Sequence, residues 1–296
     1  MIAGTRRARQ IGYAVGALVL VVVLWELVKL VVPERGVSIG DQRILPRTSD
    51  TALPHVWSVI TVLGQKDGSG TVGGTLLRTA GFTFELALLA LLIGTVVGVA
   101  LAVVMQRFAF VERGLLPYII VSQTVPLIAL APLVAGWGGK IVIAGEPWRP
   151  WMSIAVIAAY LAFFPVAIGM LRGLQAPSKA SVELLHSYSA SWWKTLVHLR
   201  FPAAVPHFLP ALRLAAAASV IGAVVAEIST GTAGGIGRQI IVFAQQATGD
   251  ASRLYAAVLA AALLGVAVTA VVGLAEFVLR RYSRPVGARS SSGGTR

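Results

Sequence analysis

Apolar residues gather into six runs, near 11–32, 79–106, 115–137, 151–172, 208–228 and 254–279, separated by stretches that hold most of the charge. A helix needs about 20 apolar residues to cross a bilayer, and each run is close to or beyond that length. The pattern predicts an all-α transmembrane fold of six helices, with a single membrane domain over 11–282. The first run follows Thr5-Arg6-Arg7-Ala8-Arg9. It is long for the core of a signal peptide and meets no small-residue cleavage site before Pro33, so it reads as a retained span. Residues 33–78 contain the short apolar piece "ALPHVWSVITVL", a candidate for a helix in the outer interface. Residues 283–296, "SRPVGARSSSGGTR", read as a disordered tail.

Composition sharpens this picture. The 296 residues are 56% hydrophobic and 12% charged, and the mean hydropathy is +0.80, values of a multi-spanning membrane protein rather than a soluble domain. The net charge of +13 would suggest nucleic acid in a soluble chain. Here the cations lie between apolar runs and fall more heavily on the side of the two termini, so the expectation is both termini in the cytoplasm of a cell-membrane protein, with no nucleic-acid partner. The chain has no cysteine, which removes disulfides, thiolate metal sites and a cysteine nucleophile.

Several short motifs carry little chemistry. Gly68, Gly70 and Gly73 fit GxGxxG, but in a polar loop before a span rather than within a βαβ unit. No GxxxxGK[ST] occurs, so ATP has no P-loop in this chain. His55, His186, His198 and His207 lack paired-ligand spacing, and no metal site is expected. Gly94 and Gly98 form a GxxxG, a spacing that lets two helix backbones approach closely. Pro117, Pro126 and Pro132 punctuate the third run, as suits either a cavity-lining or a kinked packing helix.

Ionisable groups inside lipid are costly and are candidates for function. Glu85 either pairs with Arg78, seven residues earlier, or lines a path. Glu227 is placed at the outer end of the fifth run, within reach of water. Gln123 and Thr124 bond across helices or face a substrate. Arg213 reads as a structural pairing with a neighbouring helix, and Glu26 and Lys29 as residues snorkelling at a helix end. The tentative substrate path is Glu85, Gln123, Thr124 and Glu227.

The loop over 173–207 is too polar to cross the membrane and too apolar to be an idle tether. At helical spacing Val182, Leu185, Tyr188 and Trp192 share a stripe, which predicts an amphipathic helix. Pro202, Pro206 and Pro210 are expected to separate that helix from the fifth span by a turn. Such an element either lies on headgroups or seats in a cytoplasmic partner's groove and passes on its motion.

The frame Glu183-Leu184-Leu185, three residues, Ser189, nine residues, Leu199-Arg200-Phe201-Pro202 resembles the E-A-A, Gly, I-x-L-P loop of binding-protein-dependent ABC importer permeases. Every spacing is kept. The departures are Leu184 and Leu185 for the alanines, Ser189 for glycine, and Leu199 and Phe201 for other apolar residues. The resemblance extends over about 75–280 through "VPLIALAPLVAGWG" and "ALRLAAAASVIGAVVAEI", and is nearest the branch that imports nitrate, sulfonates, taurine and, in some members, thiamine-precursor pyrimidines or riboflavin.

That resemblance implies a six-helix type I ABC importer permease fold with a cytoplasmic coupling helix around Glu183 to Ser191. It implies as partners a cytoplasmic ABC ATPase dimer that binds ATP and Mg, an extracytoplasmic solute-binding protein, and a second permease chain in a homodimer. The chain itself would hold no cofactor and would not be an enzyme. Its coupling residues would be Glu183, Leu184, Leu185, Ser189, Ala190, Ser191, Trp192 and Pro202, with Glu183 facing the ATPase or capping the helix start and Trp192, Trp193 and Lys194 anchoring at the interface. Residues 33–78, 138–150 and 229–253 would meet the binding protein. A secondary carrier or channel is the rival, because intramembrane acids can relay protons. It lacks a visible internal repeat and leaves the loop frame unexplained.

Overall fold

The computed structural model describes residues 2–34, 37–39, 42–45, 48–143 and 145–282, so the tail over 283–296 lies outside the described residues. The helices are α1 (Ile2–Val31), α2 (Val56–Thr61), α3 (Val72–Arg107), α4 (Ala109–Ser122), α5 (Leu127–Gly138), α6 (Pro150–Gln175), α7 (Lys179–Ser187), α8 (Trp192–Thr195), α9 (Phe201–Thr230), α10 (Ile236–Gln246) and α11 (Ser252–Tyr282). Among the described residues, three antiparallel ribbons of two short strands lie between them: β1 (Val37–Ile39) with β2 (Gln42–Leu45), β3 (Lys66–Asp67) with β4 (Gly70–Thr71), and β5 (Val142–Ile143) with β6 (Glu146–Pro147).

Among the described residues, α3, α6, the helical run Trp192–Thr230 and α11 are each long and apolar enough to cross a membrane, and α4 with α5 adds a fifth crossing if the bent pair is one span. The 30-residue α1 presents an almost wholly exposed apolar surface, with Leu18, Leu24, Leu30 and Val31 outward. With α1 as the first, this set accommodates the six expected crossings.

Two of the expected spans change form. The third, expected as one run over 115–137, is broken: α4 and α5 meet at 103°. Pro126 is the cause, because a residue before proline is pushed out of the helical region. Carbonyls freed at the break find partners: Ser122 O accepts from the Tyr160 hydroxyl, and turn bonds run from Gln123 N to Ile120 O and from Thr124 N to Val121 O. In the fifth, the prolines do not separate the loop helix from the span. Pro202 occupies the first turn of α9, directly after a π-helical turn over Leu196–Arg200, and Pro206 and Pro210 lie inside the helix. Their four-residue spacing confines the lost bonds to one strip of the helix surface. A π-helical turn over Leu196–Arg200 joins α8 to α9 without a break.

Contacts divide the described residues into two compact units, one of those up to Gly81 with Gly234–Ala262, the other of those from Phe82 to Ala233 with Leu263–Tyr282. In the second, α6 and α9 pack along their lengths through small residues. A Cβ added at Gly173 would stand 2.6 Å from Ala204 Cα, and one at Gly222 would stand 2.7 Å from Ala158 Cα. The GxxxG of α3 works in the same way against α6: a Cβ on Gly94 would meet Ala162 Cβ at 2.9 Å, and one on Gly98 would meet Phe163 O at 2.7 Å. Close backbone approach of this kind supplies the van der Waals contact that holds helices together in lipid, where no hydrophobic force acts between them. The end of this packing toward α7 is a buried cluster of Ala102, Met105, Ile119, Met170, Leu171, Leu174, Leu196 and Ala204.

In the first unit, the end of α1 is fastened to the segment 48–57. Trp25 Nε1 donates to Pro54 O at 3.0 Å, and Lys29 donates to Leu53 O at 2.6 Å and to Asp50. The Glu26 carboxylate lies 2.8 Å from His55 Nδ1 and accepts from Val56 N at 2.9 Å. Glu26 and Lys29 therefore do not snorkel into solvent, as their place near a helix end suggests, but clamp a loop whose backbone donors and acceptors need partners. The GxGxxG string forms the β3–β4 turn, with Gly68 at φ 58°, followed by a long apolar helix rather than a nucleotide fold.

Gly98→Leu and Gly173→Leu each overfill a backbone contact and should destabilise the detergent-solubilised protein by about 1–3 kcal/mol. Gly265→Ala adds a methyl where nothing lies within 4 Å and should leave stability unchanged or higher; thermal unfolding of the three variants checks this. The Lys29 ammonium bonded to Asp50 holds that carboxyl below its ordinary value. A carboxyl lowered in the folded state stabilises above its unfolded pKa, about 3.9, and loses that contribution as pH falls through the folded value. Unfolding scans should therefore show an acid-side loss below about pH 4 that Asp50→Asn diminishes.

Candidate functional site

The loop after α6 is a helix, a left-handed turn and a second helix. Ser178 caps α7, its Oγ accepting from Ser181 N at 3.2 Å, so the cap is Ser178 and not Glu183. α7 ends at Ser187 rather than continuing to Ser191. Its close is a Schellman motif: Ser189 N donates to His186 O at 2.9 Å and Ala190 N to Leu185 O at 3.0 Å. Such a motif requires a left-handed residue after the cap, normally glycine. Ser189 occupies that position at φ 54°, alone among the described non-glycine residues in having a positive φ. The glycine of the loop frame is thus explained physically, and serine here adopts the same turn at a cost of roughly 1–2 kcal/mol.

Ser191 caps α8, its Oγ accepting from Lys194 N at 3.4 Å. The stripe predicted for one helix is divided by the turn. Val182 and Leu185 are half-buried on α7, Tyr188 is 77% exposed, and Trp192 opens α8. Trp192 is half-buried and packs on the Met105–Leu196 cluster, whereas Trp193 is exposed and meets Trp192 edge-on, with centroids 4.6 Å apart. Arg107, the last residue of α3, lies 5.1 Å from the Trp192 ring centroid. Arg200 donates to Leu174 O at 2.8 Å, and Gln175 donates to Glu112 at 2.9 Å. By contrast α7 has no buried residue, and Glu183 and Leu184 are both exposed. The loop is a projecting helix on a firmly seated base. Pro202 lies within that base, at the start of α9.

The polar residues within the apolar runs do not converge. Gln123 and Thr124 sit together at the α4–α5 break, where Gln123 donates to Ser122 Oγ at 3.4 Å and Thr124 to Val121 O at 2.8 Å. Glu85 is exposed on α3 and takes part in no ion pair among the described residues. Glu227 is fully buried and accepts from Thr83 Oγ1 at 2.8 Å, so the water expected around it is excluded in this chain. Residues two apart on a helix point about 200° away from each other. Because Thr83 faces Glu227, Glu85 is turned away from it.

Arg213 pairs with Glu276 of α11, as a structural reading of it requires. Glu276 is 2% exposed and was legible by the rule that singles out Glu85 and Glu227, since it falls within the run 254–279. Arg107 had no such signal: at the end of an apolar run a cation reads as topology alone. Among the described residues no group of three or more His, Asp or Glu side chains is arranged to hold a metal ion.

Ser189→Gly relieves the left-handed strain and should slow hydrogen exchange at the amides of Ser187 to Ala190, while Ser189→Val should speed it, each by the equivalent of about 1 kcal/mol.

The chain is similar to several known proteins. It is 32% identical over 145 residues to the formylaminopyrimidine transport permease protein ThiX of Halalkalibacterium halodurans, covering 49% of this chain and 54% of that one; it thus spans little more than half of that relative's length. It is 26% identical to the putative aliphatic sulfonates transport permease protein SsuC of Bacillus subtilis over 79% of both chains. A crystal structure of an amino acid ABC transporter with histidines shares the fold at a TM-score of 0.53 and 20% identity, covering 71% of this chain and 94% of that chain. Residues 94–284, which include the whole helix–turn–helix loop, match the family of binding-protein-dependent transport system inner membrane components. With that match over most of its length and a helical membrane fold to support it, the chain belongs to this family of ABC importer permeases.

Proposed function

We propose that this chain is the membrane-spanning subunit of an ATP-driven importer of a small solute delivered by an extracytoplasmic binding protein. The observation that carries the reading is the projecting α7: a capped helix with no buried residue, closed by a Schellman turn, within the family-matched segment. Its exposed Glu183 and Leu184 form the tip that a cytoplasmic ATPase would grip, and Leu185, Ser189 and Ala190 fix its shape. Ser191, Trp192 and Pro202 belong to the base through which movement of α7 reaches the transmembrane helices.

On this reading the chain binds no ATP; nucleotide and Mg are held by the partner ATPase dimer, and the chain itself is not an enzyme. ATP binding by the partner draws two copies of α7 together, in a homodimer of this chain, and opens the membrane path toward the binding protein; hydrolysis resets it. Such a cycle requires ATP to bind the two states with different free energy, which the ATPase supplies. Both termini lie in the cytoplasm, in line with the bias of cations. The relatives' names support a small polar solute such as a sulfonate or a pyrimidine. Glu85, Gln123 and Thr124 are the path candidates, while Glu227 holds α9 to α3 through Thr83.

Tagged protein purified in mild detergent from its native host should bring down a P-loop ATPase in stoichiometric amount. Glu183→Ala with Leu185→Pro should reduce uptake at least ten-fold, a loss of about 1.4 kcal/mol or more of coupling, with membrane insertion intact. A chain that purifies alone and moves solute in liposomes without ATP would be a secondary carrier. Gln123→Ala and Glu85→Ala should each change uptake rate or solute preference several-fold; unchanged uptake by both would remove them from the path.

A further inference from the structure

We infer that Arg107, at the end of α3, is the positioning residue that ties the base of the coupling loop to the first family-matched span, by holding its guanidinium over Trp192. The inference rests on the reading of α7 as the element moved by the ATPase, and goes beyond it by naming where that movement enters the membrane helices.

The geometry is specific. Arg107 Cζ lies 5.1 Å from the Trp192 ring centroid and 5.6 Å from that of Phe108, within the range at which a cation is attracted to an aromatic face. Phe108 is the hinge residue between α3 and α4, with φ −124° and ψ 99°. One guanidinium therefore touches both the loop and the α3–α4 hinge. The Trp192 ring reaches the cluster contributed by Ala102 and Met105 of α3, Ile119 of α4 and Met170, Leu171 and Leu174 of α6, so displacement of α8 presses on three helix ends at once.

The clamp is also soft in a useful sense. Trp192 Nε1, Gln106 Oε1 and Arg200 Nε are buried and have no hydrogen bond among the described residues. The Trp192 indole is held by packing rather than by a side-chain hydrogen bond among the described residues, and the attraction of a cation for a ring tolerates sliding that would break a hydrogen bond. The other ties of the base, Arg200 to Leu174 O and Gln175 to Glu112, run to α6 and from α6 to α4. The Arg107 contact is the charged one that reaches α3, the helix whose Gly94 and Gly98 pack on α6.

The test compares Arg107→Gln, which keeps length without charge, with Arg107→Lys, which keeps the charge, in the assembled transporter with its ATPase. The Arg107→Gln protein should retain the ATPase on purification and continue to hydrolyse ATP, while solute moved per ATP falls about three-fold or more. Arg107→Lys should recover much of the ratio, and Trp192→Leu should reproduce the loss where Trp192→Phe does not. A wild-type transport ratio for Arg107→Gln would overturn the inference. So would loss of the ATPase from that variant, which would make Arg107 a docking residue, or its failure to accumulate in the membrane while Arg107→Lys accumulates, which would assign it to folding. If wild-type protein itself brings down no ATPase, the underlying reading of α7 fails instead.

Discussion

Close backbone contact between α6 and α9 is the constraint on which the larger unit depends. In lipid, two apolar helices gain nothing by hiding from solvent, and must find attraction in packing. Gly173 against Ala204 and Gly222 against Ala158 lie at the two ends of the contact, so the helices touch along most of their length. α9 can then carry Pro206 and Pro210 in its interior, each a feature that would break an unsupported helix. Because α9 is continuous with the π-turn and α8, the same contact joins the base of the loop to the packed transmembrane helices.

The polar groups within the spans obey a second constraint: each needs a partner where water is scarce. Glu227 takes a hydrogen bond from Thr83, and Arg213 pairs with Glu276. Each joins α9 to another helix, the first to α3 and the second to α11. Charged side chains within the spans here serve assembly, whereas Glu85, exposed on α3, and Gln123 and Thr124, bonded only locally at the α4–α5 break, make no bond between spans among the described residues.

Against this rigid frame α7 stands out by its lack of burial. Short caps at Ser178 and Ser191 define the two helices, and the left-handed Ser189 sets the angle between them. Trp192 faces the core and Trp193 faces out, so adjacent residues divide the work of attachment and exposure.

The amino-acid sequence by itself determined the membrane class, the positions of the apolar runs, and the loop frame from Glu183 to Pro202, because these depend on composition and on spacing along one chain. Gly94 and Gly98 were legible as a packing face for the same reason. Only the tertiary structure decided which helix received that face, that Pro126 breaks the third span while Pro206 and Pro210 leave the fifth intact, and that Glu227 is sealed by Thr83. It also revealed the contact of Arg107 with Trp192, 85 residues away, and the pairing of Glu276 with Arg213, 63 residues away. A proline's effect and a charge's role depend on what lies beside them in space, and periodicity along the chain carries no record of that neighbour.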